Sequence, residues 1–322
     1  MKRLAILDDY QGAALEMADW QPLEGDVDIR VLREHIADEG ALVSEIGDCE
    51  ILVIMRERTP FTRSLFEKLP NLEHLYTTGM RNNSIDLAAA GDNGVLVTGH
   101  PTLNHPTPEL TWGLIIALAR SIPYEHDGMR NGEWQRTVGH DLKGATLGII
   151  GLGRMGSQVA RVATAFDMNI VAWSSNLTQA RCDEIGVELA VSKEALLRAS
   201  DFVTIHLILG DRSRGTIGAQ ELQQIGSDCF LINTSRGPIV EEAALIDALR
   251  SRAIAGAGLD VYDTEPLPAD HPLRTFDNVV LLPHLGYVSR NNYRGLYGGA
   301  VANIRAWLDG NVINEVTPVT KP

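Results

Sequence analysis

The chain has few cysteines and no excess of basic residues. Its three cysteines, Cys49, Cys182 and Cys229, are scattered among 322 residues. They match no metal-ligand spacing, so we expect buried free thiols and no metal site. Acidic residues outnumber Lys and Arg by 42 to 28, which gives a formal net charge of −14. A nucleic-acid partner is not expected, because binding nucleic acid requires a basic face.

Long apolar runs are also missing. No stretch is long enough to span a membrane, and the N-terminal MKRLAILDDY is typical of a first strand and turn rather than of a signal peptide. We therefore expect no membrane partner and a cytoplasmic location. The composition of 44% hydrophobic and 22% charged residues is typical of a globular protein, and the length predicts two domains.

A glycine-rich segment lies near the middle of the chain. Residues 148–156 read GIIGLGRMG, with an apolar strand predicted before them and a helix predicted after them. Gly151 permits a tight turn, Gly153 allows close approach of the backbone to a pyrophosphate, and Gly156 allows close packing of helix on strand. The free amides of the helix N-terminus would face the phosphates. The segment predicts a dinucleotide-binding turn, and the alternative is a glycine-rich turn that binds nothing.

Predicted strands alternate with predicted helices twice along the chain. The apolar strands of the two series are expected near 4–7, 29–32, 51–54, 74–77 and 95–97, and near 147–150, 170–173, 202–206, 230–233, 255–259 and 279–282. This alternation predicts an α/β fold class with two doubly wound parallel sheets. One is a Rossmann nucleotide-binding domain, and the other is a smaller flavodoxin-like substrate domain.

Two long helices set the predicted domain boundaries. An apolar helix is expected at 107–121, with Thr107 as its N-cap and Pro108 at its first helical position. The last helix, at 291–308, lies beyond the nucleotide-binding series, and the most economical arrangement returns it to the first domain. The substrate (catalytic) domain is therefore predicted to be discontinuous. It comprises residues 1–100 and 291–322, and the dinucleotide-binding domain comprises residues 101–290.

Three ionisable residues each stand just beyond a predicted strand of the second series, namely Arg236, Glu265 and His284. Ligands of open α/β sheets bind beyond the carboxyl ends of the strands, so these residues are expected at the edge that holds the cofactor. Arg236 can hold a carboxylate bidentately, and His284 can pass a proton to or from an oxygen. Glu265 would favour the protonated histidine and fix its ring.

Together with a nicotinamide, these residue types predict the reversible reduction of a 2-oxo acid to a 2-hydroxy acid. Taken singly, each has a structural alternative: an ion pair for Arg236, an exposed turn for Glu265 and a loop histidine for His284. Their joint placement beyond a nucleotide-binding turn favours the functional interpretation.

Two short segments carry a family resemblance. Residues 233–237 read NTSRG and residues 282–286 read LPHLG, and with them the chain resembles the D-isomer-specific 2-hydroxyacid dehydrogenases over essentially its whole length. The resemblance implies a D-stereospecific oxidoreductase that acts on a small anionic 2-oxo or 2-hydroxy acid. It implies a homodimer with the helix near 107–121 at the interface. It also implies that Arg236 anchors the substrate carboxylate, that His284 is the general acid/base and that Glu265 is its partner.

The resemblance further implies a set of cofactor contacts. Arg154 and Met155 would line the pyrophosphate. The nicotinamide end would be approached by Thr234, Ser235, Asp260 and Gly286. His206 and Leu207 would lie nearer the adenosine.

The choice of dinucleotide depends on the end of the second strand of the nucleotide-binding series. Ser174 stands where an NAD enzyme commonly has Asp or Glu for the ribose 2′-hydroxyl. Ser174 can still form a hydrogen bond there, but it does not repel a 2′-phosphate. The nearest arginine, Arg181, is either a solvated helix charge or a phosphate contact. We expect NAD as the cofactor, and NADP stays open.

The predicted substrate loop departs from the family pattern. Residues 77–86 read TTGMRNNSID, where relatives often carry a glycine-rich segment before Asn-Ile-Asp. Gly79 is retained, whereas Met80 and Arg81 replace small residues, and Arg81 is either an anion contact or a solvent-facing charge. Arg56 and Arg58 are further candidates. Tyr287 stands where a small residue is usual, and it would contact the substrate or serve packing.

Two other functions share this scaffold. One is phosphite oxidation, which uses a similar Arg–Glu–His set, and a panel of keto acids against phosphite would discriminate. The other is a non-catalytic, dinucleotide-sensing corepressor-like binding protein. The residues leave open whether the acid is glyoxylate, hydroxypyruvate or a larger one.

Overall fold

The structure is a computed structural model that describes residues 1–317. Residues 318–322, which the predicted substrate domain includes, lie outside the described residues. Contacts divide the chain into two units. Unit 1 comprises Met1–Leu103 and the chain from Ser289 onward, and unit 2 comprises Asn104–Val288.

Unit 1 is built on a five-stranded parallel sheet. Its strands are β1 (Lys2–Ile6), β2 (Val27–Val31), β3 (Ile51–Ile54), β4 (His74–Thr77) and β5 (Leu96–Gly99). Their order across the sheet is β2-β1-β3-β4-β5, which is the flavodoxin-like order. All four residues of β3 and of β4 are buried, as expected for central strands covered on both faces.

Three short helices follow strands of this sheet: α1 (Glu39–Ile46), α2 (Arg63–Glu67) and α3 (Leu87–Asp92). Each begins after a residue whose side-chain oxygen accepts a hydrogen bond from a first-turn amide, namely Asp38, Thr62 and Asp86. Such caps satisfy amides that have no partner inside the helix. The helices pack Leu, Ile, Phe and Ala side chains against the sheet and close the core of unit 1.

Unit 2 is built on a seven-stranded parallel sheet. Its strands are β6 (Thr146–Ile150), β7 (Asn169–Trp173), β8 (Glu188–Leu189), β9 (Phe202–Ile205), β10 (Phe230–Asn233), β11 (Gly256–Leu259) and β12 (Val279–Leu281). Their order is β12-β11-β10-β9-β6-β7-β8. Strands β7 and β8 follow β6 on one side, and the chain then crosses to the other side of β6, where β9 to β12 lie in sequence order. The switch point therefore lies between β6 and β9. The two sheets confirm the predicted α/β fold class.

The helices of unit 2 are α4 (Pro106–Ala119), α5 (Ile122–Arg130), α6 (Arg154–Ala165), α7 (Gln179–Ile185), α8 (Lys193–Ala199), α9 (Ala219–Ile225) and α10 (Glu242–Arg250). The prediction that Thr107 caps α4 is wrong, because α4 begins at Pro106 and Thr107 lies inside its first turn. Proline suits that first position since the missing N–H has no helical partner there. The helix also ends before Ser121, whose left-handed φ of +49° separates α4 from α5.

The last helix, α11 (Arg290–Leu308), packs on β4 and β5 of unit 1. The Tyr76 hydroxyl of β4 donates to the Leu296 carbonyl of α11 at 2.6 Å, and the His74 ring lies 5.0 Å from the Trp307 ring. Within residues 1–317, no helix has the length and apolarity needed to cross a bilayer.

Candidate active site

The glycine turn joins β6 to α6, and two of its three glycines have no room for a Cβ atom. Gly151 has a φ of +102°, and a Cβ there would lie 2.7 Å from the carbonyl oxygen of His206. A Cβ on Gly156 would lie 2.2 Å from the carbonyl oxygen of Gly151. A Cβ on Gly153, by contrast, would meet open space. The first and third glycines are therefore required by packing, and the second leaves an open face at the helix N-terminus.

The residues around this turn fit a dinucleotide. Gly153 is the N-cap of α6, so the first-turn amides are capped by no side chain among the described residues. These amides and the positive end of the helix dipole attract an anionic pyrophosphate. The neighbouring side chains are those of Arg154, which is exposed, and Met155, which is half-buried.

The end of β7 presents Ser174, which is half-buried. Arg181 of α7 donates from Nη2 to the Ser157 hydroxyl at 2.8 Å and from Nη1 to Glu184 at 2.6 Å. Its side chain is 34% exposed, so its guanidinium lies against the first turns of α6 rather than extending into solvent. This places a positive charge beside the glycine turn.

His206 and Leu207 follow β9 on the other side of the turn. The Nε2 atom of His206 lies 3.0 Å from the Thr204 hydroxyl, and burial lowers the pKa of His206 to about 4. The imidazole is therefore neutral at pH 7. Its backbone, rather than a charge, borders Gly151.

His284 and Glu265 form a hydrogen-bonded pair. The Nδ1 atom of His284 lies 2.6 Å from Oε2 of Glu265, and the two side chains are 21% and 31% exposed. The other carboxylate oxygen, Oε1, accepts from the Tyr262 amide at 2.9 Å. His284 also has a φ of +54°, a conformation that non-glycine residues rarely adopt and that concentrates at functional sites.

The loop after β10 carries Arg236. The Asn233 side chain shapes this loop, because its Nδ2 donates to the Arg236 carbonyl at 2.9 Å and its Oδ1 accepts from the Ser235 amide at 3.0 Å. The Arg236 side chain donates from Nη1 to the Ser235 carbonyl at 2.7 Å. A Cβ on the next residue, Gly237, would lie 2.1 Å from the carbonyl carbon of Tyr262. The loop that carries Arg236 is thus closely packed against the segment from Tyr262 to Glu265.

Asp260 anchors the loop that carries His284. Its two carboxylate oxygens accept from the amides of Leu285 and Gly286 at 2.6 and 2.7 Å. Burial raises the pKa of Asp260 to about 6, although both amide hydrogen bonds act in the opposite direction. The Tyr287 ring is buried and lies edge-on to the His284 ring, with centroids 5.5 Å apart. Tyr287 therefore packs against the histidine of the pair.

Hydroxyls of α4 complete the site. Thr107 donates to the Gly286 carbonyl at 2.9 Å, and Thr111 lies 2.9 Å from the Thr234 hydroxyl. Ser235 donates to the Ile205 carbonyl at 2.8 Å. Sequence reasoning missed Thr107 and Thr111 as site residues. A Thr pair four residues apart is a signal of one helix face, but it does not tell which loops that face meets.

The predicted substrate residues of unit 1 lie beyond β3 and β4. Gly79 has a φ of +130°, and a Cβ there would lie 2.0 Å from Nη1 of Arg56, which donates to the Thr78 carbonyl at 3.0 Å. Met80 and Arg81, the next two residues, are exposed. Arg58 donates to the Asp8 carbonyl at 2.5 Å, with its guanidinium 4.4 Å from the centre of the Tyr10 ring. The loop of Gly79 and the guanidinium of Arg56 are thus neighbours.

Comparison with known proteins gives three matches that bear on this geometry. Residues 112–286 match the family model described as D-isomer specific 2-hydroxyacid dehydrogenase, NAD binding domain. The chain is 39% identical over 273 residues to the glyoxylate reductase of Aeropyrum pernix. The aligned region covers 80% of this chain and 81% of that protein. A solved phosphoglycerate oxidoreductase from Vibrio cholerae O395 superposes with a TM-score of 0.92 at 35% identity, over 96% of this chain and all of the other.

A further relative is longer than this chain. The chain is 36% identical over 281 residues to the D-3-phosphoglycerate dehydrogenase of Methanocaldococcus jannaschii. The match covers 85% of this chain and 53% of the relative, so the chain spans about half the length of that protein.

Proposed function

Because the chain belongs to the family of D-isomer specific 2-hydroxyacid dehydrogenases, we propose that it reduces a small 2-oxo acid to the D-2-hydroxy acid with a nicotinamide dinucleotide. Membership confirms the predicted family and the prediction of an NAD-dependent oxidoreductase. It does not favour the phosphite-oxidising or corepressor-like alternatives. The observation that carries the proposal is the 2.6 Å contact between His284 and Glu265 beyond the strands of the NAD-binding domain.

His284 is the proposed general acid/base. Its Nδ1 is engaged by Glu265, which leaves Nε2 as the ring nitrogen that exchanges a proton with the substrate oxygen. The charged carboxylate stabilises the imidazolium form. In reduction, His284 donates its proton to the oxygen on C2, and in oxidation it accepts that proton.

Arg236 is the proposed anchor of the substrate carboxylate. A guanidinium is charged at any working pH and matches a carboxylate with two parallel N–H donors. The packing of Gly237 against Tyr262 supports this role, because it holds the arginine loop beside the segment that carries Glu265. A local arginine is needed, since the net charge of −14 repels an anionic substrate.

The glycine turn is proposed to hold NAD, which supplies or accepts the hydride. Gly151, Gly153 and Gly156 with Arg154 and Met155 would border the pyrophosphate. The remaining proposed contacts are Ser174, His206, Leu207, Thr234, Ser235, Asp260 and Gly286. The neutral Ser174 and the nearby Arg181 support acceptance of NADPH as well as NADH, because neither repels a 2′-phosphate.

For the substrate itself, Gly79, Met80, Arg81 and Arg58 of unit 1 stay proposed contacts. The exposure of Met80 and Arg81 and the left-handed Gly79 support this role for their loop. Tyr287 is proposed to set the size of the pocket through its contact with the His284 ring. Glyoxylate and hydroxypyruvate are the first acids to test.

We also propose a homodimer. The family resemblance places the helix near 107–121 at the interface. The segment that follows this helix, from α5 to residue 138, exposes several large apolar side chains: Ile122, Tyr124, Met129, Trp134 and Val138. Beside it lies a cavity of about 510 Å³ whose lining includes Tyr124, Phe230 and Val280. Several large apolar side chains exposed within one short segment favour a protein–protein contact.

The test is a steady-state screen of 2-oxo acids against NADH and NADPH in parallel, with phosphite and NAD as the comparison. The wild type is expected to oxidise NADH with at least one short 2-oxo acid, and His284→Ala to lower kcat by at least about 100-fold. Dinucleotide binding, followed by nicotinamide fluorescence, should be unchanged in His284→Ala. Turnover of phosphite alone, or near-normal kcat in His284→Ala, would overturn the proposal.

A further inference from the structure

Two threonines on one face of α4 contact the loops of Arg236 and His284. Thr107 and Thr111 are four residues apart, so they lie one above the other on the helix. The Thr107 hydroxyl donates to the Gly286 carbonyl at 2.9 Å, two residues after His284. The Thr111 hydroxyl lies 2.9 Å from the hydroxyl of Thr234, two residues before Arg236. One helix thus touches both loops through hydroxyl groups.

The hydrogen bonds of these hydroxyls have a single consistent direction. Each threonine has one hydroxyl proton. Thr111 uses its proton on the Thr107 carbonyl at 2.9 Å, so Thr234 donates to Thr111. Thr107 donates its own proton to Gly286. Both sets of hydrogen bonds meet at Thr107, whose carbonyl accepts from Thr111 and whose hydroxyl donates to Gly286.

The first two turns of α4 are well suited to hold these groups in place. Pro106 and Pro108 flank Thr107 and are both buried, and each proline ring fixes the backbone φ. Thr111 and Thr234 are 0% and 6% exposed, so water does not compete for their bond. Asp260 accepts from the Leu285 and Gly286 amides of the same loop. The histidine loop is therefore held by both Thr107 and Asp260.

We propose that Thr107 and Thr111 are positioning residues, which hold the His284 and Arg236 loops at the separation that the reaction needs. Neither threonine is proposed to touch the substrate. Thr107 acts on the proton-transferring histidine and Thr111 on the carboxylate-binding arginine. The inference rests on the proposed function.

The experiment compares Thr107→Val and Thr111→Val with the serine variants at both positions. Valine keeps the shape and removes the hydroxyl, whereas serine keeps the hydroxyl. Thr164→Val is the matched control, because Thr164 of α6 is exposed and its hydroxyl donates to the Ala160 carbonyl of its own helix. Steady-state kinetics with the best 2-oxo acid, NADH binding by fluorescence and thermal unfolding are measured on each protein.

Thr107→Val is expected to lower kcat at least about 10-fold with little change in KM, because a small displacement of a reacting group is costly in rate. Thr111→Val is expected mainly to raise the KM of the oxo acid, by at least about 5-fold. Serine should restore most of each loss, and NADH affinity should stay within about 2-fold of the wild type.

Three results would overturn the inference while the wild type is active. The first is wild-type kinetics in both valine variants. The second is serine variants that are as impaired as the valine variants. The third is an equal loss of activity in all variants that parallels their loss of melting temperature. If Thr107→Val does not fold, Thr107→Ala and Thr107→Ser give the same comparison. Absence of turnover by the wild type on every 2-oxo acid overturns the proposed function, and this inference with it.

Discussion

The Nδ1 atom of His284 lies 2.6 Å from Oε2 of Glu265, while Oε1 of the same carboxylate accepts from the Tyr262 amide. Both carboxylate oxygens are thus engaged, so the carboxylate plane and the imidazole ring orient each other. Nε2 is therefore the ring nitrogen of the proposed proton exchange. We expect turnover to depend on the carboxylate as well as on the histidine.

Glu265→Gln is expected to lower kcat about 10- to 100-fold, a part of what general acid–base catalysis contributes. The amide keeps the size of the side chain but stabilises the imidazolium less. Glu242→Gln is the matched control, since Glu242 pairs with His271 at 3.1 Å in the same unit. Stopped-flow or steady-state kinetics with saturating NADH would measure both. Equal kcat in Glu265→Gln and the control would contradict the pair's role.

Alanine substitutions at two glycines of the turn are expected to affect the melting temperature differently. Gly156→Ala should lower the melting temperature by at least about 3 °C, because its Cβ would lie 2.2 Å from the Gly151 carbonyl oxygen and overpacking costs about 1–3 kcal/mol. Gly153→Ala should leave it within about 2 °C, since that Cβ meets open space. Calorimetry checks the melting temperatures.

NADH titration adds a second readout for the same pair. Both variants are expected to bind NADH at least about 10-fold more weakly. The Cβ of Gly153→Ala would occupy the open space proposed for the pyrophosphate, and the Cβ of Gly156→Ala would displace the turn. Unchanged affinity in Gly153→Ala would argue against this turn as the dinucleotide site.

Trp134→Ser and Val138→Ser test the proposed homodimer. These side chains are 73% and 97% exposed, and burying one large apolar side chain contributes about 2 kcal/mol, so dimerisation should weaken at least about 10-fold. Val191→Ser is the control, because Val191 is 94% exposed in the same unit but outside this segment. Sedimentation velocity across a dilution series measures the monomer–dimer equilibrium of each protein. A monomeric wild type, or dimers unaffected by both changes, would refute the interface.

We expect His74 to make unit 1 sensitive to acid. Burial lowers the pKa of His74 to about 4, whereas an unfolded histidine titrates near 6.5. The unfolded chain binds the proton first, so stability is lost as the pH falls from about 6.5 towards 4. Between pH 7.5 and 5 the expected loss of unfolding free energy from this residue is about 2 kcal/mol.

His74→Gln should reduce that loss, while His126→Gln, at an exposed position of α5, should not. Urea unfolding of each protein at the two pH values measures the difference. The same pH dependence in His74→Gln and in the wild type would show that other groups are responsible.

Much of the fold was predictable from local patterns. Buried parallel strands are short apolar runs, so β3, β4 and β10 lie at their predicted residues. The two-residue strand β8 was missed, because Glu188 and Leu189 are too few to show a pattern. The start of α4 was misplaced by taking Thr107 for a cap. A threonine hydroxyl can bond its own helix end or a distant loop, and only the surrounding structure selects between them.

Local patterns in the sequence were enough to predict the residues on which the proposed chemistry depends. The spacing of the glycines, the apolar strands and the Arg, Glu and His beyond them depend on local backbone rules and on the intrinsic properties of side chains. The contacts that hold these groups in place are visible only in the folded protein. The Glu265–His284 contact joins residues 19 apart, and the Thr107–Gly286 bond joins residues 179 apart. Bonds over such separations depend on how helices pack on the sheet, which no local pattern records.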